Sequence, residues 1–498
     1  MKRQVVLLMT DTTRKDMLGC YGNPDMKTPC LDKMAQEGLR YDNAYTCQPV
    51  CGPARSAIFT GMSPHANGMI ANSLPLGANV RTIGQRMAEK GVRCAYIGKW
   101  HLDGGDYFGM GICPPGYDPE YWFDMRCYLN GMDEEGRRRS RDPKTADLPE
   151  FPASFTYAHQ CSDRAVRYLE EYGKDDFFLT VSYDEPHGPS LCPAPYRHMY
   201  DGYHFPDSPV YTDSLNEKPM YQKLWAGENL HAPNAKLNQP SNGLSQFLGC
   251  NSFADAEIGR VLDAVRMYAP DALVIYTSDH GDMLGAHRLF SKNAAVYREV
   301  ANIPLIVWGK AYKNAAGRTC SAPASHIDLA PSIMDYFGLP IPKAMEGKSM
   351  LRQFKDPQTS VNDAVYTEFT RYEVDHDGFG GLQMMRAIIT KQYKLAIHLL
   401  DTDEFYDLAE DPYELHNCIN DPEKASVRNA LHDQLLAHMN QTRDPYRGYQ
   451  WRLRPWREGF MQNWENDGYT RQREEEDEPR QLDYDTGLPM ECAVRHKT

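Results

Sequence analysis

A short apolar run near the start of the chain, QVVLLMT at residues 4–10, ends abruptly at Asp11. Segments of this length that are rich in valine and leucine, without alternating polar residues, are typical of strands buried on both faces of a parallel sheet. Such a strand requires helices above and below it, and it places the following residue at the carboxyl edge of the sheet. The run therefore predicts an α/β fold with Asp11 at a ligand-binding edge.

The same alternation of helix and strand recurs along the chain. We predict the following elements: a helix at 81–90 and a strand at 92–97, a helix at 162–172 and a strand at 177–183, a helix at 253–268 and a strand at 272–278, a strand at 303–308, and a helix at 327–337. This order predicts a large, doubly wound, mainly parallel sheet with helices on both faces. With 498 residues, the chain exceeds the size of a single core, so a smaller second domain is expected.

Changes in pattern predict three regions. Residues 1–344 form the α/β domain, and residues 345–445 carry shorter strands and one amphipathic helix at 426–439, which predicts a smaller C-terminal α+β domain. Residues 446–498 mix aromatic, arginine and acidic residues without a core pattern. A solvated tail, a lid and a clasp on a neighbouring subunit of a homo-oligomer all fit this composition.

Loops are expected to supply substrate specificity. Residues 188–242 are rich in proline, tyrosine, histidine and asparagine, and they predict extended structure over the carboxyl edge of the sheet. Aromatic and charged residues also gather across residues 107–242 and 371–381. We expect these segments to contact the substrate.

Charge and hydropathy exclude some partners. A net charge of −14 argues against a general grip on nucleic acid or on anionic membranes, because proteins held by phosphate contacts are usually basic. The apolar run at 5–9 is too short for a signal peptide, and the mean hydropathy of −0.62 is that of a water-soluble protein. The 13 cysteines lack paired metal-ligand spacing. A cytoplasmic protein with reduced thiols is the expectation.

The sharpest local feature is residues 51–61, which read CGPARSAIFTG. This segment resembles the signature of the type I, formylglycine-dependent sulfatases of the alkaline phosphatase superfamily, Cys-x-Pro-x-Arg continuing to Thr-Gly. The resemblance implies that a formylglycine-generating enzyme converts Cys51 to an aldehyde, whose hydrate is the nucleophile. Taken alone, the segment also fits a buried thiol in front of a helix.

Two strand ends predict a metal site. Asp11 follows the first strand and Asp279-His280 follows a later one, so both can reach one crevice, where two carboxylates would hold a divalent cation. An ordinary turn is the alternative interpretation. The family resemblance implies that Asp11, Asp279, His280 and the modified Cys51 are ligands. Thr12 stands where many relatives have Asp or Gln, so it is a weaker, neutral candidate. The resemblance favours calcium, and the ligand types also suit magnesium or manganese.

A set of basic residues follows the predicted strands. Hydrolysis of an anionic ester by an acidic protein requires clustered donors, and the candidates for catalysis besides Cys51 are Arg55, Lys99, His101, His187 and Lys292. Gly98-Lys99-Trp100-His101 resembles a further sulfatase motif, which implies sulfate binding by Lys99 and Lys292, with His187 beside them. Either His101 or His187 serves as general acid or base. Any one of these residues alone also fits a solvated loop position.

The resemblance extends from residue 4 to about residue 420, where EFYDL at 404–408 and DPYE at 411–414 are similar to a segment near the end of many sulfatases. It implies a sulfatase acting on a small sulfated saccharide derived from glycosaminoglycan or mucin. A phosphonate monoester or phosphodiester hydrolase with the same formylglycine and metal is the alternative. A non-enzymatic binding protein would require loss of the nucleophile, and Cys51 and Asp11 argue against it.

Overall fold

The computed structural model describes residues 2–230, 243–373 and 381–457. The chain divides into two compact units, Met1–Leu435 and Leu436–Thr498. The strands are β1 Gln4–Asp11, β2 Leu39–Tyr45, β3 Arg93–Gly98, β4 Phe177–Pro186, β5 Leu273–Ser278, β6 Asn302–Trp308, β7 Arg318–Cys320, β8 Ala324–Ser325, β9 Ala364–Phe369, β10 Met385–Thr390, β11 Tyr393–His398 and β12 Glu404–Asp407. The α-helices are α1 Pro29–Glu37, α2 Cys51–Thr60, α3 Pro64–Asn67, α4 Ile83–Ala88, α5 Met125–Asn130, α6 Glu134–Arg141, α7 Tyr157–Tyr172, α8 Met220–Ala226, α9 Leu244–Tyr268, α10 Arg298–Ala301, α11 Leu329–Tyr336, α12 Leu351–Lys355 and α13 Ala425–Gln441.

The larger sheet has eight strands in the order β3-β4-β1-β5-β6-β2-β7, and β8 pairs with β2. Strands β3, β4, β1 and β5 are parallel to one another, whereas β6 is antiparallel to both β5 and β2. A smaller antiparallel sheet has the order β12-β11-β10-β9. The predicted fold class is confirmed: a mostly parallel sheet flanked by helices, with a small C-terminal sheet.

Strand β1 explains why the first apolar run has no polar alternation. All eight of its residues are buried. Val6 and Leu8 pack into a hydrophobic cluster with side chains of α1, α7 and α9, and Val5, Leu7 and Met9 pack into a second cluster with α2, α4 and α11. Full burial of one such side chain stabilises the fold by about 1.5–3 kcal/mol. The central strand therefore carries core on both faces and leads to a buried Asp11.

Two features of the sheet differ from simple βαβ expectation. Strand β2 was not predicted, because Arg40, Asp42 and Asn43 interrupt its apolar pattern and its pairing with β6 is irregular between Tyr41 and Ala44. Strand β6 lies where a strand was expected, but it runs antiparallel to β5. The connection between the two contains only the one-turn helix α10 among its α-helices. A parallel return requires a longer crossover, usually a full helix.

The small sheet packs one face against the rest of the first unit. Val365 and Ala387 from this sheet share a hydrophobic cluster with Val50, which directly precedes α2. The domain boundaries proposed at 344/345 and 445/446 remain predictions. Parts of three predicted segments fall outside the described residues, namely 231–242, 374–380 and 458–498. In the described part of the chain, no helix combines the length and apolar character needed to cross a membrane.

Candidate active site

The carboxyl ends of four neighbouring strands converge on one buried polar cluster. Asp11 ends β1, Lys99 directly follows β3, Asp184 lies near the end of β4, and Asp279 follows β5. These strands are parallel and adjacent, so their ends meet at one edge of the sheet. All four side chains are at least nine-tenths buried.

Helix α2 follows strand β2 and places the residues of the sequence signature at this edge of the sheet. Cys51 is its first residue, and all ten residues of the helix are buried. Pro53 lies in the first turn, where its missing N–H removes no helical hydrogen bond. Arg55 is one turn beyond Cys51, so both side chains project from the same side of the helix. Gly61 ends the helix with a φ of 66°.

Arg55 ties the strand ends together. Its Nε donates to Asp279 Oδ2 at 3.1 Å, and its Nη2 donates to Asp11 Oδ2 at 3.0 Å. Its Nη1 donates to the Lys99 carbonyl oxygen and to Ser182 Oγ, each at 2.7 Å. A fully buried guanidinium with four hydrogen bonds satisfies the requirement that buried charges be paired. Arg55 therefore sets the spacing of the two carboxylates.

Asp11, Cys51, Asp279 and His280 form a possible ligand set. One ligand atom from each lies within 4.8 Å of the others. His280 Nδ1 lies 2.8 Å from the Gly281 carbonyl oxygen, so Nδ1 carries the proton and leaves the Nε2 lone pair for a ligand. Burial and the nearby Asp11 carboxylate raise the pKa of Asp279 to about 7. A divalent cation between the two carboxylates would relieve this repulsion, so the residues fit a metal ion.

Thr12 supports this set through hydrogen bonds. Its hydroxyl donates to Asp11 Oδ1 at 2.6 Å, and its backbone N–H donates to Asp279 Oδ1 at 3.1 Å. The backbone reaches both carboxylates because Thr12 adopts a φ of 69°, in the left-handed region. Thr12 thus orients the two carboxylates, whether or not its oxygen is itself a ligand.

The Cys51 thiol lies among basic groups. Lys292 Nζ donates to Cys51 Sγ at 3.0 Å, and His280 Nε2 lies 3.2 Å from the same sulfur. Burial opposes ionisation of this thiol, but the surrounding cations, first Lys292, hold its pKa well below the usual value. Position 51 is therefore built for a negatively charged atom.

Lys99 contacts both Asp11, which belongs to this cluster, and Asp184, which accepts a hydrogen bond from Tyr107. Its Nζ lies 2.8 Å from Asp11 Oδ2 and 3.0 Å from Asp184 Oδ1. Burial opposes its charge, but the two carboxylates hold its pKa well above the ordinary value. Tyr107 donates its hydroxyl proton to Asp184, and the same oxygen lies 2.9 Å from His187 Nδ1.

The two candidate histidines differ in environment. His187 is half-buried, and burial together with the charges of Lys292 and Lys99 lowers its pKa to about 4. His101 is buried, and its Nδ1 has no hydrogen-bond partner among the described residues. The rings of His101 and Tyr107 meet edge to face with centroids 6.0 Å apart.

The structure brings the candidates into one region: Asp11, Thr12, Cys51, Arg55, Lys99, His101, His187, Asp279, His280 and Lys292. Sequence reasoning missed Asp184 and Tyr107. Asp184 had a usable signal, since it lies at a strand end like Asp11 and Asp279. Tyr107 comes from an irregular loop and had none beyond its place in a segment expected to touch substrate.

Comparisons with known proteins identify the family of this chain. The Sulfatase family model matches residues 3–339, and the model for the C-terminal region of N-sulphoglucosamine sulphohydrolase matches residues 285–441. The uncharacterized sulfatase YidJ of Escherichia coli K12 is 40% identical over 506 residues, covering 99% of this chain and 98% of the relative.

Two solved structures have the same fold. One, determined in complex with its substrate D-glucosamine-2-N,6-O-disulfate, has a TM-score of 0.72 at 21% identity and covers 90% of this chain and 99% of its own. The other, the phosphonate monoester hydrolase of Agrobacterium radiobacter, has a TM-score of 0.74 at 22% identity and covers 89% of this chain and 96% of its own.

The fold and the buried cluster define a hydrolase of the alkaline phosphatase superfamily. Within it, the chain belongs to the sulfatase family. The predicted enzyme class, a sulfuric ester hydrolase, is confirmed.

Proposed function

We propose that this protein hydrolyses a sulfate ester of a sugar, using formylglycine made from Cys51 and one divalent metal ion, with calcium as the first choice. The observation that carries the proposal is the position of Cys51 Sγ, which lies 3.0 Å from Lys292 Nζ, 3.2 Å from His280 Nε2 and 3.8 Å from Asp11 Oδ1. Lys292 and His280 would stabilise negative charge on a nucleophile at this position.

The metal would be held by Asp11, Asp279, His280 and an oxygen at position 51. Carboxylate and aldehyde-derived oxygens are hard donors and suit calcium or magnesium, while the imidazole leaves manganese open. When bound, the ion would supply positive charge to a sulfate oxygen and to the nucleophile. Arg55 maintains the spacing of the two carboxylates before and after turnover.

Formylglycine, once formed, supplies a hydrated aldehyde with one hydroxyl as nucleophile and a second that permits release of sulfate. Lys99 and Lys292 hold the sulfate oxygens, because their ammonium groups lie on the two sides of Asp11. Asp11 and Asp184 outweigh the effect of burial and hold the pKa of Lys99 above its ordinary value, so Lys99 stays protonated at neutral pH, and Lys292 Nζ lies 4.0 Å from Asp11 Oδ1. They therefore offset charge that develops on the sulfate.

The environments of His101 and His187 support different roles for the two residues in proton transfer. His101 is buried, and its ring meets the Tyr107 ring edge to face with centroids 6.0 Å apart. His187 is half-buried and contacts Tyr107 on the solvent side. We assign the proton transfers of the reaction to these two histidines. His187, with a pKa of about 4, is neutral at neutral pH and is the candidate proton acceptor, which leaves His101 as the candidate donor.

A sulfated sugar is the proposed substrate class, supported by the bound glucosamine disulfate of one structural neighbour. The phosphonate monoester hydrolase has a comparable TM-score. Phosphonate monoesters and phosphodiesters are therefore the second candidate class of substrate. A formylglycine-generating enzyme is the maturation partner. The expected cytoplasmic location and homo-oligomer remain proposals.

The test is product release by protein coexpressed with a formylglycine-generating enzyme, with conversion of Cys51 verified by mass spectrometry. The panel contains sulfated mono- and disaccharides, an aryl sulfate, an aryl phosphonate monoester and a phosphodiester, with Cys51→Ala as blank. We expect sulfate release from one sugar class at a kcat/KM above that for either phosphorus ester. Faster phosphonate or diester cleavage by the converted protein would move the assignment to the second class.

A further inference from the structure

An arginine, Arg141, stands at the outer side of the site. Arg141 is the last residue of α6, and it is half-buried. Its Nη2 donates to the Gly188 carbonyl oxygen at 3.3 Å, next to His187. Across the part of the chain that the structure describes, no carboxylate lies within ion-pair distance of this guanidinium.

Two other arginines of the helix, Arg137 and Arg138, are hydrogen-bonded elsewhere, and Arg139 Cζ lies over the Phe155 ring, 5.3 Å from its centroid. Arg138 is exposed and forms a bidentate ion pair with Glu135. Arg137 donates to the Leu129 carbonyl oxygen. Arg141 therefore differs from its neighbours in facing the site with most of its donors free.

Tyr107 links Arg141 to the sulfate-binding end of the site. Arg141 Cζ lies 5.5 Å from the centroid of the Tyr107 ring, and Lys99 Nζ lies 4.1 Å from the same centroid. Both cations therefore lie within reach of the substituents of a single monosaccharide.

We propose that Arg141 forms, beside Tyr107, a subsite for a second anionic group on the sugar whose sulfate ester is cleaved. This inference rests on the proposed function. The ligand is a carboxylate or a second sulfate, because a guanidinium fork pairs with two oxygens of either group. The protein would thus prefer a doubly charged saccharide over a sugar with one sulfate.

Kinetics on matched substrates test the subsite. One arm compares N-acetylglucosamine 6-sulfate, which carries no ammonium group, with glucosamine 2-N,6-O-disulfate, and the other compares a 2-sulfated hexose with the corresponding 2-sulfated hexuronate. Wild type, Arg141→Gln, Arg141→Lys and the matched control Arg138→Gln are converted to formylglycine to equal extents. Thermal unfolding of each variant reports whether the fold is retained.

We expect wild type to favour the second anion in at least one arm by about tenfold in kcat/KM, the loss typical of one charge-assisted hydrogen bond. Arg141→Gln should remove most of this preference through KM, Arg141→Lys should keep part of it, and Arg138→Gln should keep all of it. A preference only for the disulfate identifies a sulfate ligand, and one only for the hexuronate identifies a carboxylate.

Two results would overturn the subsite while leaving the proposed function intact: sulfate release by wild type without preference for a second anion, or an equal preference in folded Arg141→Gln and Arg141→Lys. Absence of sulfate release from every sugar by fully converted wild type would instead overturn the proposed function, and the subsite with it.

Discussion

The site has a buried floor and a more exposed rim. The two contain similar residue types but differ in how completely their charged groups are paired. The floor comprises Asp11, Cys51, Arg55, Asp279 and His280, all of them buried and mutually bonded. The rim comprises Tyr107, Arg141 and His187, all three of them half-buried, and the one side-chain hydrogen bond of Arg141 among the described residues is to the Gly188 carbonyl oxygen. We infer from this difference that the floor holds the catalytic groups in position, whereas the side chains of the rim are available to bind a substrate.

Removal of Arg55 should give the largest effect. Arg55→Ala leaves Asp11 and Asp279 facing each other without their shared guanidinium. Loss of one partner from a buried ion pair costs about 3–5 kcal/mol, so the free energy of unfolding should fall by that amount. Sulfate release should fall at least about 10³-fold.

Urea denaturation and initial rates measure both effects. Arg141→Ala provides the matched guanidinium deletion at the rim, and its stability should change by less than about 1 kcal/mol. Equal destabilisation by the two deletions would break the distinction between floor and rim.

Metal content should separate two carboxylates that lie close together. Asp279→Asn removes a member of the ligand set, whereas Asp184→Asn changes a carboxylate that pairs with Lys99 outside that set. We expect Asp279→Asn to lose the ion and about 10²-fold or more of the activity. Asp184→Asn should retain the ion.

Elemental analysis of the purified proteins decides between these outcomes. In wild type, exhaustive chelation should lower activity, and added calcium should restore it. Equal metal content in both Asn variants would contradict the ligand assignment.

Deletion of the Tyr107 hydroxyl should have a moderate effect at the rim. Tyr107→Phe keeps the ring beside Lys99 but removes the hydrogen bonds to Asp184 and His187. We expect kcat/KM to fall about tenfold, because a hydrogen bond to a charged group is lost. Tyr121→Phe is the matched control, since the Tyr121 hydroxyl also donates to a carboxylate, that of Glu171, which is not a residue of the site. A similar loss of activity in the control would remove the special role of Tyr107.

A carboxylate beside the site should make the stability of the fold depend on pH. Glu185 follows Asp184 in β4, and its Oε2 has no hydrogen-bond partner among the described residues. Burial, helped by Asp184, raises the pKa of Glu185 to about 8. Its contribution to stability is therefore complete below pH 4.5 and is lost as the pH rises through about 8.

Glu185→Gln should flatten the dependence of unfolding free energy on pH within that window, by at most about 1.4 kcal/mol per pH unit. Denaturant titrations at several pH values give the slope, with the exposed Glu150→Gln as control. An unchanged slope in Glu185→Gln would show that Glu185 is ionised in the folded protein.

The central strands and the residues at their ends could be predicted because the signal is local. An unbroken apolar run followed by a polar residue marks a buried strand and its carboxyl end, as for Asp11 and Asp279. Strand β2 could not be predicted in this way, because its polar residues and irregular pairing hide the pattern. The direction of β6 depends on the connection before it rather than on its own residues.

The residues of the rim were harder to predict from the sequence. Residues 107–242 were expected to contact substrate, and they contain Tyr107, Arg141 and His187. No periodic pattern identifies these three within that segment, because a loop, the end of a short helix and a strand-end turn bring them together. Their proximity is a tertiary property of the fold.

The most direct test of the account is the dependence of sulfate release on the fraction of chains with formylglycine at position 51. Protein prepared with graded amounts of a formylglycine-generating enzyme gives this fraction by mass spectrometry and kcat by sulfate release. We predict that kcat rises in proportion to the fraction and extrapolates to zero, with Cys51→Ala inactive at every level. Equal sulfate release from unconverted protein or from Cys51→Ala would contradict the assignment of Cys51 as the source of the nucleophile.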